Sequence, residues 1–153
     1  MAMMKQIIFN IGEGLYGIDV NEVLGIEKDI AIVGIPNAPA CIKGIINLRG
    51  NVIPVFDLRK KFNMPSNIDI DTRELIIAKS NGVMIAIEVD LVKEIVELDD
   101  DKIGKVPSII RNEQTKYIGS VAHVDKNLIL VINLDGLLDK EQAAHLQDIV
   151  ENQ

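Results

Sequence analysis

The chain repeats itself, and the repeat constrains its fold more than any single segment does. Ile18-x-Val20-x-x-Val23-x-x-Ile26 returns as Ile87-x-Val89-x-x-Val92-x-x-Ile95, and strand-like runs precede both copies, Ile7 to Ile11 and Leu75 to Lys79. An apolar-Pro pair follows in each, Ile35-Pro36 and Val106-Pro107, then a glycine inside an apolar run, Gly44 and Gly119. Val55-x-Asp57-Leu58 and Val131-x-Asn133-Leu134 close the series. Landmarks recurring in one order mark two copies of one structural unit. Within each copy apolar and polar residues alternate over short runs punctuated by Gly, Asn and Pro, the period of strands and turns. Each copy therefore reads as a small curled sheet of about five strands, the size of a compact barrel. A unit of roughly 60 to 70 residues buries only a modest core alone, so apolar faces left over from both copies are expected to pack together.

The fold class that follows is mainly all-β: two packed five-stranded barrels and a short C-terminal helix in a single domain spanning 1–153. The first barrel is placed at 12–64 and the second at 73–135, with the N-terminal strand and a 139–150 helix packing on them. Asn63 to Thr72, rich in Asn, Asp, Pro and Ser, is the linker. Gly12-Glu13-Gly14 supplies the positive φ angles of a tight hairpin between Ile7–Ile11 and Tyr16–Val20. A second hairpin turns at Asn47-Leu48-Arg49-Gly50-Asn51. Pro54 has no N–H, so it belongs where its strand faces solvent or bulges. Asn21 to Leu24 suits one helical turn, and Asp139 with Gln142 forms a capping pair for a helix whose Ala143, Leu146, Ile149 and Val150 share one side.

Composition removes several function classes. With 48% hydrophobic residues in 153, a disordered scaffold is excluded. Apolar runs fall well short of the roughly 18 residues that span a bilayer, and Met1 to Lys5 leads straight into a strand-like segment without a signal-peptide core, so no membrane insertion is expected. One cysteine, Cys41, suits a reducing compartment, which makes the cytoplasm the expected location. A net charge of −7 with 16 scattered Lys and Arg opposes nucleic acid, and 3% aromatic residues offer few stacking platforms.

Motifs that carry chemistry fail on context. Gly12-x-Gly14-x-x-Gly17 matches a dinucleotide fingerprint, but the residues after it alternate as a strand, whereas a nucleotide loop must open a helix. Nucleophilic catalysis needs Cys41 or one of Ser66, Ser80, Ser108 and Ser120 beside an imidazole base; the two histidines, His123 and His145, lie in ordinary strand and helix positions. Asp99-Asp100-Asp101 lacks the oxygen spacing of a calcium loop, and two histidines with one cysteine make a poor zinc set. No catalytic residue, metal or cofactor is expected. Arg49 differs: at a glycine-bounded turn a long cation projects away from the strands, either into solvent or onto a carboxylate of another protein.

Tyr16-Gly17-Ile18-Asp19-Val20-x-x-Val23, Ile35-Pro36-Asn37-x-Pro39, Ile42-x-Gly44-Ile45-x-Asn47-Leu48-Arg49-Gly50 and Pro54-Val55-x-Asp57-Leu58-Arg59 together resemble the CheW family over nearly the whole chain. The resemblance implies two SH3-like barrels and a non-catalytic adaptor of bacterial chemotaxis. Its implied partners are the cytoplasmic tips of chemoreceptors (methyl-accepting chemotaxis proteins) and the regulatory domain of the CheA histidine kinase. It implies that Val20 and Val23 line a receptor groove near the barrel junction. Asn47, Leu48, Arg49 and Gly50 would form the functional turn, and Gly44 would permit close backbone packing beside it. The kinase contact is expected on exposed strands of the second barrel. Family members commonly carry Glu in a V-x-E-I pattern where this chain reads Val23-Leu24-Gly25-Ile26, so Arg49 must find another acid, Glu22 and Glu27 being neighbours, or stay free. Cys41 also stands where an aromatic is common. A CheW-like scaffold in a non-chemotactic assembly, or a small-ligand or enzymatic double-barrel domain, are the alternatives.

Overall fold

Runs such as Leu75-Ile76-Ile77-Ala78 bury every residue, which a strand can do only if both faces of its sheet are covered. The computed structural model, which describes residues 3–65, 68–112 and 115–151, has that arrangement. Its strands are β1 (Met3–Ile11), β2 (Gly14–Asp19), β3 (Val23–Glu27), β4 (Ile42–Leu48), β5 (Asn51–Asp57), β6 (Glu74–Ser80), β7 (Val83–Val89), β8 (Leu91–Asp99), β9 (Ile103–Gly104), β10 (Ile118–Val124) and β11 (Asn127–Ile132). Two helices join them, α1 (Leu58–Lys61) and α2 (Lys140–Glu151). A five-stranded sheet runs β3-β6-β7-β5-β4, and a six-stranded one runs β8-β1-β2-β11-β10-β9, its last strand only two residues long.

The sheets do not divide at the expected 12–64 and 73–135 boundaries. Each takes the first two strands of one repeat and the later strands of the other: β6 and β7 complete β3, β4 and β5, while β1 and β2 complete β8 to β11. The exchange is reciprocal in register, because parallel pairs join Val55 to Ala86 and Val131 to Gly17, equivalent positions in the two repeats. Alternation along a strand fixes which face is apolar but not which backbone edge it meets, so the repeat alone leaves the choice of partner copy open.

Three clusters fill the interior. One, between the sheets, joins Phe9, Ile11 and Ile18 to Ile76, Ile85, Ile87 and Val89. The opposite faces close round Ile46, Ile53, Val55, Leu75 and Ile77 in one barrel, and round Ile8, Leu98, Ala122, Ile129 and Val131 in the other. Chain segments close each barrel: the link after β3 brings Val33 beside Ile45 of β4, and β9 pairs with β10. Gly12, at φ +59°, makes the β1–β2 hairpin, so no helix opens there.

Two local expectations resolve differently. Pro54 is buried and paired opposite Ile45. Both backbone groups of Ile45 engage Val33 instead, and the ladder to β7 starts only at Val55, so the missing N–H leaves no gap. The helical turn near Asn21 is a 3-10 turn over Val20–Glu22, and β3 begins at Val23. The α2 cap is reciprocal: Asp139 N donates to Gln142 Oε1 at 3.1 Å and Gln142 N to Asp139 Oδ1 at 2.7 Å. Ala143 and Leu146 face the central core; the side chains of Ile149 and Val150 lie outside the described residues.

Candidate functional site

The β4–β5 turn places Arg49 at φ +50° and Gly50 at φ +89°, the two positive angles that a two-residue hairpin turn needs to match strand twist. Asn47 locks it, its Oδ1 accepting Gly50 N at 2.9 Å, while Leu48 packs half-buried against the Ile46 cluster. The β6–β7 turn has the same geometry with Asn81 at φ +48° and Gly82 at φ +83°. Asn-Gly is the low-strain choice; a long side chain in the left-handed region costs roughly 1–2 kcal/mol. Arg49 occupies the strained position nonetheless.

Arg49 Nη2 donates to Glu27 Oε1 at 3.2 Å. The arginine side chain is 77% exposed and the glutamate 23%. Because β3 and β4 are the two edges of the five-stranded sheet, this ion pair ties one end of the sheet to the other. It also resolves what the sequence left open between Glu22 and Glu27. A register shift between Val23 and Gly25 inserts Leu24 as an extra residue. Beyond it, Gly25 pairs with Ile77 and Glu27 with Leu75, so both lie on one face of β3. Glu22 sits in the 3-10 turn instead, where burial and the charges of Asp19 and Asp135 push its carboxyl above the ordinary range.

The other face of β3 looks toward the central core. Val23 pairs with Ala78 and packs against that core, and Ile26 pairs with Ile76. Val20 is half-buried in the turn before them. Ile26 remains 40% exposed and Leu24 56%. At the equivalent place on the other edge, Ile95 pairs with Ile7 yet is 60% exposed. Thus Val23 packs toward the core with Val20 half-buried in the turn before it, while Asn47, Leu48, Arg49 and Gly50 reach β3 from its opposite face, through Glu27. Ile26 and Ile95 close the two copies of the repeated motif, and nothing in their spacing says that cover ends short of the edge strands.

Gly44 lies buried under the backbone of the 30–33 segment. A Cβ there would overlap the Val33 carbonyl and approach Ile32 Cγ2 at 2.9 Å. Two ion clusters brace the surrounding frame. Glu88, 3% exposed, receives Lys43 Nζ at 3.0 Å on both oxygens and Arg73 Nε at 3.3 Å, while Arg73 Nη2 donates to Ile30 O at 2.7 Å. Arg59 grips Asp90 through Nε at 3.2 Å and Nη2 at 2.5 Å, and Asp90 also accepts Gly12 N. This binds α1 to the β1–β2 turn.

Among the described residues no group of three His, Cys, Asp or Glu side chains converges on a metal position. His123 on β10 and His145 on α2 are exposed, and burial pushes the half-buried Cys41 thiol up, away from its nucleophilic form. A cavity of about 600 Å³ opens beside Lys61, Phe62, Tyr117, Leu137, Asp139 and Gln142. Two of its ionisable groups serve the fold: Lys61 lies over the Tyr117 ring at 5.6 Å, and Asp139 caps α2. No helix among the described residues is long and apolar enough to cross a membrane.

The sequence profile of the CheW-like domain matches residues 5–142, from β1 into the first turn of α2. The chain belongs to the CheW-like family. Chemotaxis protein CheW of Klebsiella aerogenes is 28% identical over 147 residues, covering 95% of this chain and 88% of that one. The CheW of Bacillus subtilis is 30% identical over 139 residues, covering 91% and 89%. Among solved structures, the scaffolding protein TtCheW from Thermoanaerobacter tengcongensis matches with a TM-score of 0.82 and 33% identity, covering 90% of this chain and 94% of that one. The two sheets are the two SH3-like barrels of the CheW fold. In this chain the acidic partner of the turn arginine is Glu27.

Proposed function

We infer that this protein is a non-catalytic adaptor that couples the cytoplasmic tips of chemoreceptors to the regulatory domain of the CheA histidine kinase, working in the cytoplasm. Its CheW relatives carry chemotaxis in their names and a solved relative is called a scaffolding protein. The observation that carries the reading in this chain is Arg49, an exposed guanidinium kept in a strained turn position and braced by Glu27 beside an edge strand with apolar residues in solvent. Strain retained on the surface serves contact, since stability gains nothing from it.

In this reading Val20 and Val23 line the receptor contact along the β3 edge, Asn47, Leu48, Arg49 and Gly50 form the polar turn beside it, and Gly44 lets the 30–33 segment lie close enough to hold that turn. The kinase domain docks on exposed strands of the six-stranded barrel. Such an adaptor turns nothing over. Holding receptor and kinase in one geometry lets receptor motions shift the population of active kinase.

Co-sedimentation of purified protein with receptor-tip and kinase regulatory-domain fragments tests the reading. Binding to both is expected, and folded protein that ignores both overturns it. Arg49→Glu should weaken partner binding with little change in thermal stability; an equal loss of folding would assign Arg49 a structural role.

A further inference from the structure

We propose that Asn81 is a deamidation site gated by the contact between the two barrels, and that its product releases that contact. Asn81-Gly82 is the one Asn-Gly pair in the sequence. Deamidation needs the nitrogen of the next residue to reach the asparagine side-chain carbonyl carbon, and glycine, without a Cβ, hinders that approach least. Both residues have positive φ in the two-residue turn between β6 and β7, where Ser80 and Val83 close the ladder and leave the Gly82 N–H outside it. Gly82 is exposed, with nothing within 4 Å of a Cβ built on it.

The turn belongs to the five-stranded sheet, yet it seats in the 134–138 segment that leads from β11 to α2. Ser80 is buried, its Oγ donating to Leu134 O at 2.5 Å and accepting Leu138 N at 3.3 Å. Asn81 N donates to Asp135 Oδ1 at 2.8 Å, and Asn81 Nδ2 donates to Asp135 O at 3.1 Å and to Leu138 O at 2.5 Å. Held so, the amide cannot turn onto Gly82 N without losing both of its bonds, so the reaction runs from the unseated turn, a local opening. There Gly82 N attacks Asn81 Cγ, the Cγ–Nδ2 bond breaks, and Nδ2 leaves as ammonia with the proton of Gly82 N. Water then opens the cyclic imide at either carbonyl, giving aspartate or isoaspartate. One water is consumed, one ammonia is released and nothing is oxidised or reduced. The product does not reseat, because its carboxylate has no hydrogens for the two carbonyls. It also adds charge beside Asp135, in a corner shared with Glu22, whose carboxyl burial and the charges of Asp19 and Asp135 already push up. The matching turn of the other copy is tied by Gly12 N to Asp90 and carries no Asn-Gly pair.

Peptide mapping by mass spectrometry, on the whole protein incubated in mildly alkaline buffer, reads conversion at each asparagine, with thermal melts alongside. Asn81 should convert before the other asparagines. Ser80→Ala removes two seating bonds and should speed conversion at Asn81 about tenfold; Asp135→Ala, a surface change that removes one, should speed it about threefold. The other asparagines should keep their wild-type rates in both. Asn81→Asp, the product of the reaction, should melt about 5 °C below wild type. Another asparagine converting first, a wild-type rate at Asn81 in both variants, or an Asn81→Asp protein as stable as wild type overturns the proposal. Acceleration at every asparagine in Ser80→Ala reports global unfolding, and the rate in Asp135→Ala then decides.

Discussion

Replacing Gly44 by Ala converts a backbone contact into a steric one. The added methyl must displace the Val33 carbonyl and Ile32 Cγ2, and both belong to a segment bound to β4 by Val33 N to Ile45 O at 2.9 Å and Ile45 N to Val33 O at 2.8 Å. Losing that bridge costs about 1 kcal/mol per hydrogen bond, and strain from overpacking adds about 1–3 kcal/mol. The expected loss of about 3–5 kcal/mol is a large part of the total stability of a small domain. For a chain of this length it lowers the melting temperature by roughly 6–20 °C. Gly34→Ala, with nothing within 4 Å of its added Cβ, is the control in the same loop. At Gly119, the repeat equivalent of Gly44, a Cβ would come no nearer than 3.4 Å to a neighbour, Asn133 Cβ, so Gly119→Ala should cost much less. Urea and thermal unfolding followed by circular dichroism measure all three. If Gly44→Ala is as stable as Gly34→Ala, the close approach of the 30–33 segment is not what the glycine is for.

Arg49→Asn should hold or slightly raise the melting temperature, because Asn tolerates the left-handed turn, while partner binding falls; a melting temperature several degrees lower would make Arg49 structural. Removing Glu88 by Glu88→Ala leaves buried Arg73 and neighbouring Lys43 without their shared carboxylate, and should cost about 3–5 kcal/mol in urea denaturation. A loss no greater than that of an ordinary surface substitution would contradict this. Glu22 has its carboxyl raised above 4.5 by burial, Asp19 and Asp135, so the folded state binds its proton more tightly than the unfolded one. Its contribution to stability therefore falls as pH rises through that raised pKa. Glu22→Gln should raise the melting temperature at neutral pH but not in acid below 4.5, and an identical gain at both would refute the linkage.

The amino-acid order determined much of this molecule. The repeated Ile-x-Val-x-x-Val-x-x-Ile landmark made two equivalent sheets unavoidable, since each short strand needs an apolar face covered and each copy alone has too little core. The Gly12 hairpin, the Asp139 to Gln142 cap and the glycine-bounded Arg49 turn were readable too, because backbone angles and capping are local properties. Only the tertiary structure decided which copy each strand joins: β6 and β7 cross to β3, β4 and β5 through hydrogen bonds between backbone edges, which look the same whatever the side chains are. It also chose Glu27 over Glu22 for Arg49. Both acids are near in sequence, but one extra residue at Leu24 sets the face that each later residue of β3 presents, and that face is fixed by pairing with β6 from the far half of the chain.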